Sequence, residues 1–282
     1  MILEINNFKC GADKLKLNPY NIKATKEEER RRLDSTYYPI RIGADFTSFE
    51  KPSRISSQIY QKIRSLIMET FNEFSKFLKV QRPNIDLSGQ LNTIKENCEI
   101  DRVGSDYANF LKDNDVIVFP SFNSQMDETV ITAAGFCLNY RQRQQTVGGV
   151  LYINPNLSFN MENMELYMKK VLFHEITHIL AFSSNLFKYL GMLVSDRNSV
   201  YYVVSEKTLL KARQYFNCGT LHGVPLENQG GNGSIGSHWE ARYMLGDYML
   251  STDNDDTVIS DITLALFEDT GFYIVDYYSG AF

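Results

Sequence analysis

The 282-residue chain has few of the residues that metal and redox sites use: four histidines and four cysteines, with a single tryptophan besides. No apolar run approaches the roughly 18 residues that a membrane-spanning helix needs, so no such helix is expected. The net charge is −5 and no extended basic stretch alternates with aromatic residues, which argues against a nucleic-acid partner. With 43% hydrophobic residues, the chain can still bury a sizeable core in one or two domains.

Two of the four histidines lie close together, in the segment HEITH that runs from His174 to His178. On an α-helix, residues four apart share a face, so both imidazoles can reach one Zn²⁺. Glu175 would then face a zinc-bound water as its general base. The pattern predicts a catalytic zinc site. The alternative is a core helix whose histidines are only hydrogen-bonded.

The flanking sequence favours a helix, since residues 160–182 contain no proline or glycine and their apolar residues recur at helical spacing. The same reasoning predicts a long amphipathic helix over 53–80 and helices over 205–216 and 257–270. Strands are predicted at 37–46, 115–119, 130–138 and 149–153. These elements indicate an α+β fold with a mixed sheet.

A catalytic zinc site needs a third protein ligand, and the sequence leaves three candidates. His238 ends a glycine-rich segment, 230–238, whose turns could bring its imidazole to a distant metal. His222 is the remaining histidine. Glu206, on a predicted helix, would complete a site of two histidines and one glutamate. Spacing alone does not choose among them.

Several segments, in this order, resemble the leishmanolysin family of surface metalloproteases, which includes invadolysin. The resemblance runs from about Tyr38 to the C-terminus. Its most specific parts are HEITHIL from His174, LENQGG from Leu226, GSHWE from Gly236 and DYML from Asp247.

The resemblance implies a metzincin-like, two-lobed catalytic domain that hydrolyses peptide bonds in proteins or peptides with one Zn²⁺. It assigns the metal to His174, His178 and His238, and the general base to Glu175. His222 becomes a loop histidine. The rival function is a zinc-binding or cell-adhesion surface protein without turnover, against which the intact Glu175 and histidines argue.

The resemblance also makes Met249 the methionine of the turn beneath the zinc, where its thioether packs under the imidazoles. Met244 is the nearest alternative, but its surroundings are predicted to be helical. Two positions depart from the metzincin pattern. Ala181 replaces the glycine at which the active-site helix usually ends, and Ser251 stands where some metzincins have a tyrosine ligand.

The implied organisation has a propeptide-like extension at 1–36, an N-terminal catalytic lobe with the HExxH helix at 37–182, and a second lobe with the third histidine and the methionine turn at 183–282. Residues 131–134 are expected at an exposed edge of the sheet. Substrate would add there as an extra antiparallel strand.

The four cysteines receive separate roles from the resemblance. Cys98 and Cys137 are expected to form a disulfide. Cys218 is expected to lack its partner, because the family continues into a cysteine-rich domain and this chain stops at Phe282. Cys10 is a candidate cysteine switch, a thiolate that would occupy the open zinc position; the alternative is an ordinary free thiol.

The start of the chain, from Met1, lacks the basic, apolar and small-residue pattern of a signal peptide. The resemblance nevertheless implies an extracellular, cell-surface or membrane-associated enzyme. Any association with the membrane surface would use segments absent from this chain. A cytoplasmic location is the alternative.

Overall fold

A computed structural model describes residues 36–82, 85, 87–126, 130–140, 145–156, 164–229, 235–251 and 257–277. The described residues form two compact units, Thr36–Ala181 and the residues from Phe182 onward, called here the first and second unit. Over these ranges, every helix is too short or too polar to cross a membrane. Residues 1–35 of the predicted extension, which include Cys10, lie outside the described residues.

The first unit contains, in chain order, β1 (Tyr38–Pro39), β2 (Ile42–Ala44), α1 (Ser57–Phe77), β3 (Leu78–Val80), α2 (Leu91–Cys98), α3 (Phe110–Asp113), β4 (Val116–Phe122), β5 (Thr132–Tyr140), β6 (Gln145–Ile153) and α4 (Met164–Leu180). Short 3₁₀ turns occupy Phe46–Ser48 and Tyr107–Asn109. Strands β2, β4 and β6 pair in parallel, and β5 pairs antiparallel with β6 at the edge of this four-stranded sheet. The sheet is therefore mixed, as predicted.

The HEITH helix α4 packs against α1 and the sheet through its apolar residues. Phe173 stacks on Phe74 of α1, with ring centroids 4.1 Å apart and planes 12° from parallel. On the other side, Ile179 lies against β6, where a Cβ built on Gly149 would be 2.5 Å from Cγ2 of Ile179 and 2.9 Å from the carbonyl oxygen of Gly135. Only glycine leaves room for α4 to lie this close to the sheet.

The boundaries of α1 differ from the predicted helix over 53–80. The helix begins at Ser57 because the Ser56 hydroxyl accepts the hydrogen bond of the Ile59 amide as an N-cap. It ends at Phe77 because Leu78–Val80 pair with β1 as an antiparallel strand. The local apolar spacing continues into this strand, so the pattern by itself could not place the end of the helix.

Three cysteines are disulfide-bonded in the structure. Cys98, the last residue of α2, forms a disulfide with Cys137 of the edge strand β5. Cys218 is also disulfide-bonded, so the expectation that it lacks a partner is wrong. That expectation rested on the comparison with the family alone.

The second unit contains α5 (Ser184–Tyr189), β7 (Leu193–Ser195), β8 (Tyr201–Val203), α6 (Glu206–Tyr215), β9 (Val224–Pro225), α7 (Ala241–Met244), α8 (Asp261–Asp269) and β10 (Tyr273–Val275). Strands β7, β8 and β9 form an antiparallel sheet in that order. Helix α6 is fastened to α8 where the amide and hydroxyl of Thr208 both donate to Oδ2 of Asp269, at 2.7 and 2.8 Å. With helices and a mixed sheet in the chain, the α+β prediction is confirmed.

Candidate active site

Helix α4 carries His174, Glu175 and His178 within two turns, next to fully buried residues such as Ile176 and Ile179. The two histidines are half-buried, with ring centroids 4.6 Å apart and planes at 79°. Their Nε2 atoms face each other at 3.0 Å. The helix ends at Leu180, and the Ala181 amide still donates to the carbonyl of Thr177 at 2.9 Å, so the alanine replaces the usual glycine without a left-handed residue.

A third histidine joins this pair. His174, His178 and His238 each offer one ring nitrogen, and these three atoms all lie within 4.8 Å of one another. Among the described residues, this is the one group of three or more histidine, cysteine, aspartate or glutamate side chains gathered so closely. The two other candidates for the third position, His222 and Glu206, are exposed and do not belong to this group.

The donor set suits a zinc ion. Three imidazoles with an open fourth position are a common ligand set of catalytic zinc. Tetrahedral bonds of about 2.0–2.1 Å place two ligand nitrogens about 3.3 Å apart. The 3.0 Å between the Nε2 atoms of His174 and His178 is close to that spacing.

Glu175 is buried beside the histidines, with 7% of its surface exposed. The Thr132 hydroxyl donates to its Oε1 at 2.8 Å. Burial raises the pKa of the Glu175 carboxyl, while the charge of His174, the Thr132 hydroxyl and the Ala134 amide act in the opposite direction. Thr132 and Ala134 lie on β5, so the edge strand holds the carboxylate from the side of the sheet.

Strand β5 is the edge strand that residues 131–134 were expected to form. Thr132 points toward α4 and is buried, while Gly135 has no atom within 4 Å of the place where a Cβ would stand. Asn154 helps to shape the start of this edge, because its amide group donates to the carbonyl of Val130 at 2.8 Å.

Met249 is fully buried in the second unit. Its amide donates to Oδ1 of Asp247 at 2.7 Å, and its carbonyl accepts from the amide of Trp239, the residue after His238, at 3.0 Å. Met244 is the last residue of the short helix α7, as its predicted helical surroundings required. Met249 is thus hydrogen-bonded to the residue that directly follows His238, whereas Met244 bonds to Glu240, one position further along the chain.

The hydrogen bonds that Thr132 and Asp247 make at this site were not foreseen. Thr132 lies in the predicted edge strand, but no spacing links a hydroxyl on a strand to a carboxylate 43 residues later. Asp247 stands two residues before Met249, and its place in the DYML segment was the only signal for it.

The fold and the site define an α+β protein in which three histidines, two of them on a HExxH helix, could hold a metal ion. The sequence model of one family, leishmanolysin, peptidase family M8, matches residues 56–281. The chain therefore belongs to the leishmanolysin family, and the resemblance seen in its motifs is confirmed.

Individual relatives agree with this assignment. Leishmanolysin of Leishmania donovani is 30% identical over 154 residues, which are 52% of this chain and 25% of that protein. A leishmanolysin-like peptidase of Drosophila melanogaster is 41% identical over 75 residues, 27% of this chain and 11% of that protein. One of Caenorhabditis briggsae is 27% identical over 214 residues, 59% of this chain and 32% of that protein. The chain thus matches less than a third of each relative's length.

Proposed function

We propose that this chain is a zinc-dependent endopeptidase with proteins or peptides as substrates. The observation that carries the proposal is the gathering of His174, His178 and His238 within 4.8 Å, next to the buried carboxylate of Glu175. Membership of the leishmanolysin peptidase family supports the same reaction.

The three imidazoles would hold the ion, with His174 and His178 fixed by helix α4 and His238 as the third ligand. When bound, zinc lowers the pKa of a water ligand to about 7 and polarises a carbonyl oxygen. The residues of the chain supply the rest of the chemistry.

Glu175 would act as the general base and then as the general acid. Its carboxylate takes a proton from the water that attacks the peptide carbonyl and passes this proton to the leaving amine. The Thr132 hydroxyl on Oε1 fixes the orientation of the carboxylate, so that its remaining acceptor positions can receive the proton. Burial keeps bulk water from competing for these positions.

The substrate would bind along the outer edge of β5 as an additional antiparallel strand. Because β5 is an edge strand, the main-chain N–H and C=O groups on its outer side can form hydrogen bonds with a peptide. The open space at Gly135 allows a second backbone to approach there. A peptide added in this way is extended, which suits cleavage within a chain.

Met249 would form the floor of the metal site through the turn that follows α7, and its bond to Trp239 supports this role. By analogy with the family, the enzyme would act outside the cell or at a membrane surface. A cytoplasmic location is the alternative, and fractionation of the source cells would distinguish the two.

A cleavage assay with casein or a peptide library tests the function. Activity should vanish with a zinc chelator, return when zinc is added, and give internal fragments by mass spectrometry. Glu175→Gln should keep its zinc by elemental analysis but lose about 10²-fold or more in kcat, because an amide cannot accept the proton. Full activity of this variant, or of the chelated protein, would refute the proposed mechanism.

A further inference from the structure

A closed circuit of hydrogen bonds lies directly after His238 in the second unit. The Trp239 amide donates to the Met249 carbonyl at 3.0 Å, and the Met249 amide donates to Oδ1 of Asp247 at 2.7 Å. The Thr263 hydroxyl donates to Oδ2 of Asp247 at 2.7 Å, and the Trp239 ring nitrogen Nε1 donates to the Thr263 hydroxyl at 2.8 Å. The four residues are thereby joined in one ring.

The circuit is closed to water. Trp239, Met249 and Thr263 have no exposed surface, and Asp247 has 3%. A buried polar group without a partner is costly, so each member of the circuit depends on the others. Removing the Thr263 hydroxyl takes away the acceptor of the Trp239 ring N–H and one of the donors to Asp247, which also accepts from Ser260 and from the Met249 amide.

The backbone of His238 is also hydrogen-bonded on the side away from this circuit. Its carbonyl oxygen accepts a hydrogen bond from the Glu227 amide at 2.9 Å, and Trp239 forms an isolated antiparallel bridge with Leu226. The backbone of His238 is thus fixed on both sides. The side chain of Thr263, on helix α8, is hydrogen-bonded to both Trp239 and Asp247.

We infer that Asp247 and Thr263 are positioning residues that set the affinity of the metal site by holding the His238 segment in register. The inference rests on the proposed zinc site and extends it to residues beyond the three histidines. The physical reason is that a histidine far from its co-ligands in sequence must be ordered before it binds. A circuit that orders it in advance removes that cost from zinc binding.

Thr263→Val tests the inference because it removes the hydroxyl and keeps the shape. Zinc affinity is measured by competition with a chromophoric chelator on the full chain. We expect the zinc Kd to rise about tenfold or more, the usual effect of losing a partner behind a ligand. Thr263→Ser restores the hydroxyl and should bind zinc nearly as the unchanged protein does.

Thr208→Val is the matched control. Thr208 is fully buried in the same unit and donates to a carboxylate, Oδ2 of Asp269, at 2.8 Å, outside the circuit. Both valine variants should lower the melting temperature, but only Thr263→Val should weaken zinc binding. A merely structural role for Thr263 would give the two variants the same zinc Kd, and that result would overturn the inference.

If Thr263→Val does not fold, Trp239→Phe takes its place. It removes the Nε1 donor and keeps an aromatic ring facing Phe182, whose centroid is 4.9 Å away. Weaker zinc binding supports the inference, and unchanged binding overturns it. If the wild-type chain binds zinc and cleaves peptide but the variants have an unchanged zinc Kd, this inference is refuted and the proposed function is not. A wild-type chain that binds no zinc refutes the proposed function and this inference with it.

Discussion

The hydroxyl of Thr132 donates a hydrogen bond to Oε1 of Glu175 at 2.8 Å and so joins the edge strand β5 to the HEITH helix α4. Both residues are buried, with 7% of each exposed. A hydrogen bond to a charged acceptor contributes about 1.5–3 kcal/mol. That is enough to hold the carboxylate of the proposed base in one orientation while its proton is transferred.

Replacing Thr132 by valine should therefore lower kcat by about 10- to 100-fold, a part of the usual contribution of a general base. KM and zinc content should change little, since the threonine side chain faces α4. Thr132→Ser should recover most of the activity. Steady-state kinetics and elemental analysis measure these quantities.

Thr146→Val serves as the control for this prediction. Thr146 is buried in the neighbouring strand β6, and its hydroxyl has no hydrogen-bond partner among the residues that the structure describes. The variant should keep its activity. An unchanged kcat for Thr132→Val would contradict the prediction. So would a serine variant as slow as the valine variant, because Thr132 would then contribute to packing alone.

The third metal position is tested by three alanine variants. His238→Ala should lose most of its zinc, because only a residue that binds the ion contributes a coordinate bond. His222→Ala and Glu206→Ala should retain zinc, since both side chains are exposed and lie outside the histidine group. Metal content after dialysis gives the answer, and an empty site in the His222 variant would contradict the assignment.

Gly149 should not tolerate a side chain. A methyl group there would meet Ile179 at 2.5 Å and the Gly135 carbonyl at 2.9 Å, so Gly149→Ala should push α4 away from the sheet. We expect a loss of about 1–3 kcal/mol in the free energy of unfolding, typical of overpacking. Gly135→Ala is the control, because its Cβ meets no atom within 4 Å. If urea denaturation gives equal unfolding free energies for the two variants, the structure around Gly149 can accommodate a methyl group, and the prediction is wrong.

Thiol labelling of the unfolded, unreduced chain tests the cysteine assignments. Cys98, Cys137 and Cys218 should stay unlabelled, because all three are disulfide-bonded. Peptide mass spectrometry reads the label at each position, and a labelled Cys218 would contradict its bonded state. The same experiment decides the predicted cysteine switch, which requires a free thiol at Cys10. A bonded Cys10 would remove it from the regulation of the zinc site.

The types and the order of the longer elements could be read from the sequence, because periodicity is local, whereas short elements such as α2, β7 and β8 were not predicted. Apolar spacing predicted helices near 205–216 and 257–270, and the structure has them at Glu206–Tyr215 and Asp261–Asp269. Their ends were less accurate, since a cap or a pairing strand decides where a helix stops. The strand predicted at 37–46 is divided into β1 and β2 at Arg41, whose amide and side chain both bind Asp115.

Local chemistry in the sequence determined the HEITH helix, the placing of two imidazoles on one face, and the carboxylate beside them. It also reduced the third ligand to His238, His222 or Glu206. Only the tertiary structure gathered His238 with the pair and left the other two exposed. It alone joined Thr132 to Glu175 and Thr263 to Asp247, across 43 and 16 residues. Hydroxyls and carboxylates are common along the chain, and which of them meet depends on how strands and helices pack, which no local spacing encodes.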